Sequence, residues 1–165
     1  MKPGAALMER FEGWFVSPIE KLKELPEGDG GFLALSAALF LCERYYRAKT
    51  NTHEKKKSPL FMKAAAQDMG LSLIDFNRFW QVYRNGMLHQ GMPKRYIDPS
   101  SNITFRAHTD ARFTSIPTFV RISRNTREIR LDPWKFAELI ISKFKNNPLL
   151  LKKAVSHAFA EVVQC

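Results

Sequence analysis

From Gly31 to about Ala48 the chain reads FLALSAALFLCERYYRA, rich in Leu and Ala and apolar nearly all round, which is the texture of a central buried helix. Residues 5 to 25 read as a helix interrupted at SPIEKL, where Ser17 is placed to cap and Pro18 to occupy a first turn, and Pro26 ends it. KTNTHEKKKS is a basic loop, after which Ser58 and Pro59 signal another capped start leading into LFMKAAAQDMG, closed by Gly70. A longer helix follows from about Ser72 to Gln90. Beyond GMPKRYIDPSSN the period changes. NITFRAHTDARF and TFVRISRNTREIRL alternate apolar with polar residues, and Phe119, Val120 and Ile122, then Ile129 and Leu131, flank RNTR in the manner of a small hairpin. Asp132 and Pro133 open the helix WKFAELIISKFK, NNP stops it, and LLLKKAVSHAFAEVV is a last amphipathic helix. The expected fold class is mainly α, a helical bundle with a small β-hairpin insertion around residues 102–131, in one domain over residues 1–165.

The helix from Ser72 to Gln90 carries an unusual end, WQVYRNGMLHQGMPKRY. At about 100° per residue Phe76, Phe79, Trp80, Tyr83 and Met87 share one stripe, which is how a core-facing surface is written. Asn85 and His89, four residues apart, fall together on roughly the opposite side, with Arg84 on the flank between. Leu88 and Met92, with Val82 near by, accompany them, so that side is not simply a solvated one; an apolar ring around polar residues marks a packed helix or a partner subunit. A structural explanation stands beside this: a helix C-terminus favours cations by roughly 0.3–1 kcal/mol, and Gly86 and Gly91 then read as a weak point and a C-cap.

Charge changes the picture. Lys and Arg number 26 against 16 Asp and Glu, a formal charge of +10 and a pI of about 9.8, which favours a polyanionic partner through phosphate neutralisation, RNA or DNA first and an anionic membrane surface behind. Two cysteines, Cys42 and Cys165, cannot build a disulfide framework, and the N-terminal stretch lacks the unbroken apolar core of a secretory signal. The longest apolar run falls short of the roughly 20 residues of a membrane span, so the expectation is a cytoplasmic protein without a membrane partner.

RNGMLH, Arg84 to His89, resembles the motif of the HEPN superfamily (higher eukaryotes and prokaryotes nucleotide-binding), an arginine followed by a polar residue and then, four to six positions on, a histidine near the end of a long helix. The resemblance implies an all-α bundle of four main helices spanning the chain and a homodimer that brings two such motifs into one cleft. It further implies metal-independent endoribonuclease activity of a defence or toxin type, with Arg84, Asn85 and His89 as the site. Inactive relatives that bind RNA or a protein partner are the alternative it leaves open.

The chemistry of these residue types is coherent with RNA cleavage. An imidazole titrates near working pH and can take the proton of a ribose 2′-OH, which assigns His89 as general base. The permanently charged Arg84 suits the phosphorane, and the Asn85 amide can orient a phosphate oxygen or the histidine. A 2′,3′-cyclic phosphate follows, with the leaving 5′-oxygen protonated from the second chain of a dimer. Glu43 is an acid on a largely apolar helix and needs a partner if buried; Arg84 is a candidate, so a structural ion pair competes with catalysis for this arginine. Lys55, Lys56 and Lys57 read as a solvated cluster, whereas Arg121, Arg124, Arg127 and Arg130 are the candidate RNA-backbone contacts, with Arg121 and Arg130 approaching across the hairpin. His53 reads as solvated, His108 and His157 lack metal-ligand spacing, and no metal or other cofactor is expected.

Overall fold

The computed structural model describes residues 3–52 and 59–156. Its helices are α1 (Pro3–Phe11), α2 (Ser17–Leu22), α3 (Gly31–Thr50), α4 (Pro59–Asp68), α5 (Leu73–Phe79), α6 (Asn85–Gln90), α7 (Pro133–Lys145) and α8 (Pro148–Ser156). The strands β1 (Tyr96–Asp98), β2 (Ile103–Thr109), β3 (Thr118–Ser123) and β4 (Thr126–Leu131) lie between α6 and α7. His53, Lys55, Lys56, Lys57, Ser58, His157 and Cys165 lie outside the described residues.

The expectation of a mainly α bundle with a hairpin insertion is corrected by the sheet. Its four strands run in the order β1-β2-β4-β3, antiparallel at both ends and parallel between β2 and β4, so the protein is α/β. The hairpin of β3 and β4 is there, but β4 also pairs along its length with β2, and β1 adds a strand outside residues 102–131. This sheet is built into the core rather than appended to it: Phe105, Ile129 and Leu131 are fully buried together with Phe79, Tyr83 and Phe136 of the helices. Alternation along the sequence shows that one strand face is apolar but carries no information on what covers it. Here the cover is the helix that bears the motif.

α3 is the central helix expected, packed chiefly against α7 and also against α4 and α8, with Ala34, Leu35, Ala38 and Tyr46 buried. Among the described residues nothing covers its outer side, and Leu33 and Phe40 remain more than half exposed. Pro18 occupies the first turn of α2 as expected, but Ser17 makes no cap. The chain instead runs through a wide π turn, Glu12–Val16, in which the Ser17 N–H reaches back to the carbonyl of Glu12. A proline lacks an N–H and crowds the carbonyl four residues earlier; a wide turn just before it relieves both. The caps at Ser72 and Asp132 do form, through Asp75 N to Ser72 Oγ at 3.0 Å and Trp134 N to Asp132 Oδ1 at 2.9 Å.

Candidate functional site

The helix expected from Ser72 to Gln90 is present but interrupted. Between α5 and α6 lies a π turn, Trp80–Arg84, marked by the Asn85 N–H bonding to the carbonyl of Trp80. One extra residue in a turn rotates everything beyond it by about 100°, so a uniform helical wheel loses its phase there. Phe76, Phe79, Trp80 and Tyr83 are buried as the stripe requires, but the next buried position is Gly86, and Met87 is only half-buried. Val82, expected beside His89 on the outer side, is fully buried.

The wide turn also explains Gly86. The carbonyl of Val82 accepts a hydrogen bond from Lys94 N at 2.9 Å, which pulls the segment after the helix across it. A Cβ on Gly86 would stand 2.4 Å from Lys94 N and 2.7 Å from Met92 O, both backbone atoms. Gly86 is therefore a close crossing rather than a weak point. Gly91, at φ +70°, is the left-handed C-cap expected.

Arg84 sits at the end of the π turn and reaches Glu43 of α3, donating from Nη2 at 2.7 Å and from Nε at 3.1 Å to the same carboxylate oxygen. The other oxygen of Glu43 accepts from Arg47 Nε at 2.8 Å. One carboxylate is thus held between two guanidinium groups, and the cluster keeps a net positive charge. Its cations are largely screened from water, the side chains of Arg47 and Arg84 being 11% and 26% exposed. The Arg47 guanidinium lies over the Phe61 ring at 4.4 Å and that of Arg84 near the Trp80 ring at 5.8 Å. The i, i+4 spacing of Glu43 and Arg47 was legible as a helical ion pair, yet Arg47 was not among the expected site residues.

Asn85 joins this cluster. Its Oδ1 accepts from Arg84 Nη1 at 3.3 Å, while its Nδ2 donates to Gln81 Oε1, one turn back, at 3.0 Å. His89 lies one turn beyond Asn85 in α6, is exposed, and has no hydrogen bond or ion pair with any described residue. The structure therefore brings Glu43, Arg84 and Asn85 into one bonded unit and leaves His89 at its solvent end. Beside the unit is a cavity of about 190 Å³ lined by Ser36, Leu39, Phe40, Glu43, Arg84, Met87 and Leu88. It opens between α3 and α6, flanked by Phe40 and Leu88 at 53% and 58% exposure. A larger cavity, about 390 Å³, lies at the start of α3 among Asp29, Phe32, Asp110 and Trp134, and none of the expected site residues lines it.

The four hairpin arginines do not form one patch. Arg121 faces Arg127 across the strands, and Arg130 is opposite Thr118, so the expected approach of Arg121 to Arg130 is corrected by the register. Strand alternation puts Arg127 on the face of Ile129 and Arg130 on the other. Arg124 lies in the exposed two-residue turn between β3 and β4, and Arg121 donates to the Ser123 carbonyl at 3.3 Å. Arg130 is committed to Glu128, with both Nε and Nη2 at 3.1 Å from Oε2.

Among the described residues no helix is long and apolar enough to cross a membrane, and no three His, Cys, Asp or Glu side chains are grouped to hold a metal ion. Cys42 is buried, and burial pushes its thiol far above the usual range. Compared with models of known families, with curated proteins and with solved structures, the chain matches none.

Proposed function

We propose that this protein is a cytoplasmic, metal-independent endoribonuclease of HEPN type, acting as a homodimer. In this reading His89 takes the proton of a ribose 2′-OH, the 2′-oxygen attacks the adjacent phosphorus, and the bond to the 5′-oxygen breaks to leave a 2′,3′-cyclic phosphate. Arg84 offers N–H groups to the phosphorane: three of its five donors go to Glu43 and Asn85, and the guanidinium lines the cavity beside α6. The departing 5′-oxygen takes its proton from the motif of the second copy. A second copy also suits the exposed Phe40, Leu88 and Met92 around that cavity. Of the four hairpin arginines expected to contact RNA, Arg130 supplies a backbone phosphate contact, Arg121 and Arg127 lying on the opposite face of the sheet.

The observation that carries this reading is the state of the triplet. Arg84 and Asn85 are fixed by bonds to Glu43 and Gln81, while His89 stands exposed one turn away with no bonded partner among the described residues. A catalytic group must be free to meet substrate while its neighbours are held. One observation favours a catalytically silent domain that binds RNA or a protein: the Arg84–Glu43 pair satisfies the arginine without any ligand. Incubating the purified protein with mixed tRNA and unstructured RNA in EDTA separates the two. Cleavage leaving 2′,3′-cyclic ends, lost in His89→Ala, is the expected result; RNA bound but never cut between about pH 6 and 9 selects the silent domain.

A further inference from the structure

The arginines of the sheet are divided between its two faces, and the face turned away from the helices has an organisation of its own. In β2 and β4, Phe105, Ala107, Ile129 and Leu131 pack into the core, so Arg106, His108, Glu128 and Arg130 share the opposite face. The parallel register sets Arg106 against Glu128 and His108 against Arg130. Glu128 Oε2 lies 3.1 Å from His108 Nδ1 and accepts both Arg130 bonds. The Phe113 ring stands edge-on to His108 with centroids 4.9 Å apart, and the Arg130 guanidinium lies 5.4 Å from its centre. From the core side Tyr83 Oη accepts from His108 N at 3.2 Å and donates to the Ile129 carbonyl at 2.7 Å, fixing both strands.

A charge run on a strand is ordinarily a solvated face, but two features separate this one. Its His108 and Arg130 are held in place by one carboxylate and one ring instead of waving on free stems. The segment that carries it is also lopsided on both faces together: between Lys94 and Leu131 the chain has eight Lys and Arg against three Asp and Glu, half of the surplus of ten in the whole chain. Glu128 is already shared by His108 and Arg130, and the exposed Arg106 has no hydrogen bond or ion pair with a described residue. Arg95 extends the same face toward β1 through its bond to Thr104 Oγ1.

We infer that this face of the sheet binds the sugar–phosphate backbone of single-stranded RNA. Arg106 and Arg130 neutralise phosphates, and His108, its Nδ1 engaged by Glu128, turns its Nε2 to a phosphate oxygen or a 2′-OH. Complementarity of charge selects a polyanion. Half-buried Phe113, between the histidine and the arginine, gives an apolar edge for an unpaired base, which a duplex keeps stacked inside. The choice of RNA rests on the ribonuclease reading, and the surface lies apart from the Arg84–His89 site.

The test is binding of a short fluorescein-labelled oligouridine, followed by anisotropy in EDTA across a salt series, with full-length His89→Ala protein so that nothing is cut. Arg106→Ala with Arg130→Ala raises Kd by about tenfold and lowers the log–log salt slope by about 1.4, roughly 0.7 for each phosphate of a single strand no longer neutralised. Arg106→Ala alone, at an exposed position, gives about threefold and about 0.7 of a unit of slope even if the double variant melts early. Glu128→Gln tightens binding about twofold, because the one negative charge of the cluster is removed. Unchanged Kd and slope in Arg106→Ala overturn the inference. So does an equal loss in Arg121→Ala with Arg127→Ala, which would put the RNA on the other face. An RNA duplex bound as well as oligouridine overturns the single-stranded assignment. The two readings fail separately: sheet-dependent binding by wild-type protein that cuts nothing sinks only the ribonuclease, and cutting of sub-saturating RNA that is indifferent to Arg106 sinks only this surface.

Discussion

The molecule displays two histidines in opposite circumstances. His108, on the sheet, has its Nδ1 at a carboxylate, a ring against its edge and its backbone tied by Tyr83. His89, at the end of α6, is exposed and has no bonded partner among the described residues, although the arginine and asparagine of its motif are fixed. A histidine with a carboxylate at one nitrogen is oriented before any ligand arrives. A bare one must be oriented by what binds, which is why the HEPN-type reading needs a second copy or the RNA to complete its site. The difference teaches that motif resemblance and pre-organisation point to different places on this protein, the first to α6 and the second to β2.

The most direct way to break that comparison is to remove each histidine in turn. His89→Ala is expected to lower RNA cleavage by about 10²–10⁴ at unchanged melting temperature, the usual cost of a missing acid–base group. His108→Ala is expected to leave single-turnover cleavage under saturating RNA within about threefold, since it weakens binding alone. The opposite ranking would move the chemistry to the sheet. Next in size is Gly86→Ala, which drives a methyl into the backbone at Lys94 and Met92 and is expected to cost at least the roughly 1–3 kcal/mol of an overpacked site in urea unfolding. Arg124→Ala, in the exposed turn of the hairpin, should stay within about 0.5 kcal/mol.

A smaller effect lies where the two regions are tied. Arg78 donates from Nε and Nη2 to Asp98 of β1 at 2.8 and 2.6 Å and stacks 4.8 Å from the Phe105 ring. Bonds from Ser100, then from Arg78, hold the Asp98 carboxyl down to about 2. A depressed carboxyl stabilises the fold above its unfolded value near 3.9 and loses that contribution as pH falls through about 2. Arg78→Ala should cost roughly 2–3 kcal/mol at neutral pH, less than a fully buried pair because the arginine is partly exposed, and should shrink the acid-side loss of stability, which then ends at higher pH. Smaller than the effect of Arg78→Ala is that of Glu128→Gln on stability. The His108 hydrogen bond, and after it Arg130, hold the Glu128 carboxyl below its usual range, so its contribution is also lost on acidification. At a partly exposed pair this amounts to about 0.2–1 kcal/mol, read as a slightly flatter dependence of melting temperature on pH below about 5.

Much of this architecture was legible in the residues, because the information was local. The Ala- and Leu-rich run of α3, the caps at Ser72 and Asp132, the left-handed glycines at 70 and 91 and the alternation of β3 and β4 each follow from the chemistry of a few neighbouring positions. So does the triplet Arg84, Asn85 and His89, whose types and spacing are written in six residues. The sequence by itself determined these elements and the candidate chemistry. What only the tertiary structure decided depends on distant partners. The parallel pairing of β2 with β4 made a sheet of what alternation showed as a hairpin, and the burial of Phe105 and Ile129 beneath the motif helix made the protein α/β. The π turn at Trp80–Arg84 shifted the phase of the helix, so no uniform wheel could place Val82 and Gly86. Register, packing partners and the crossing at Lys94 join residues far apart or on different elements. Hydrophobic period fixes which face of an element is buried, and only the closed fold fixes what it is buried against.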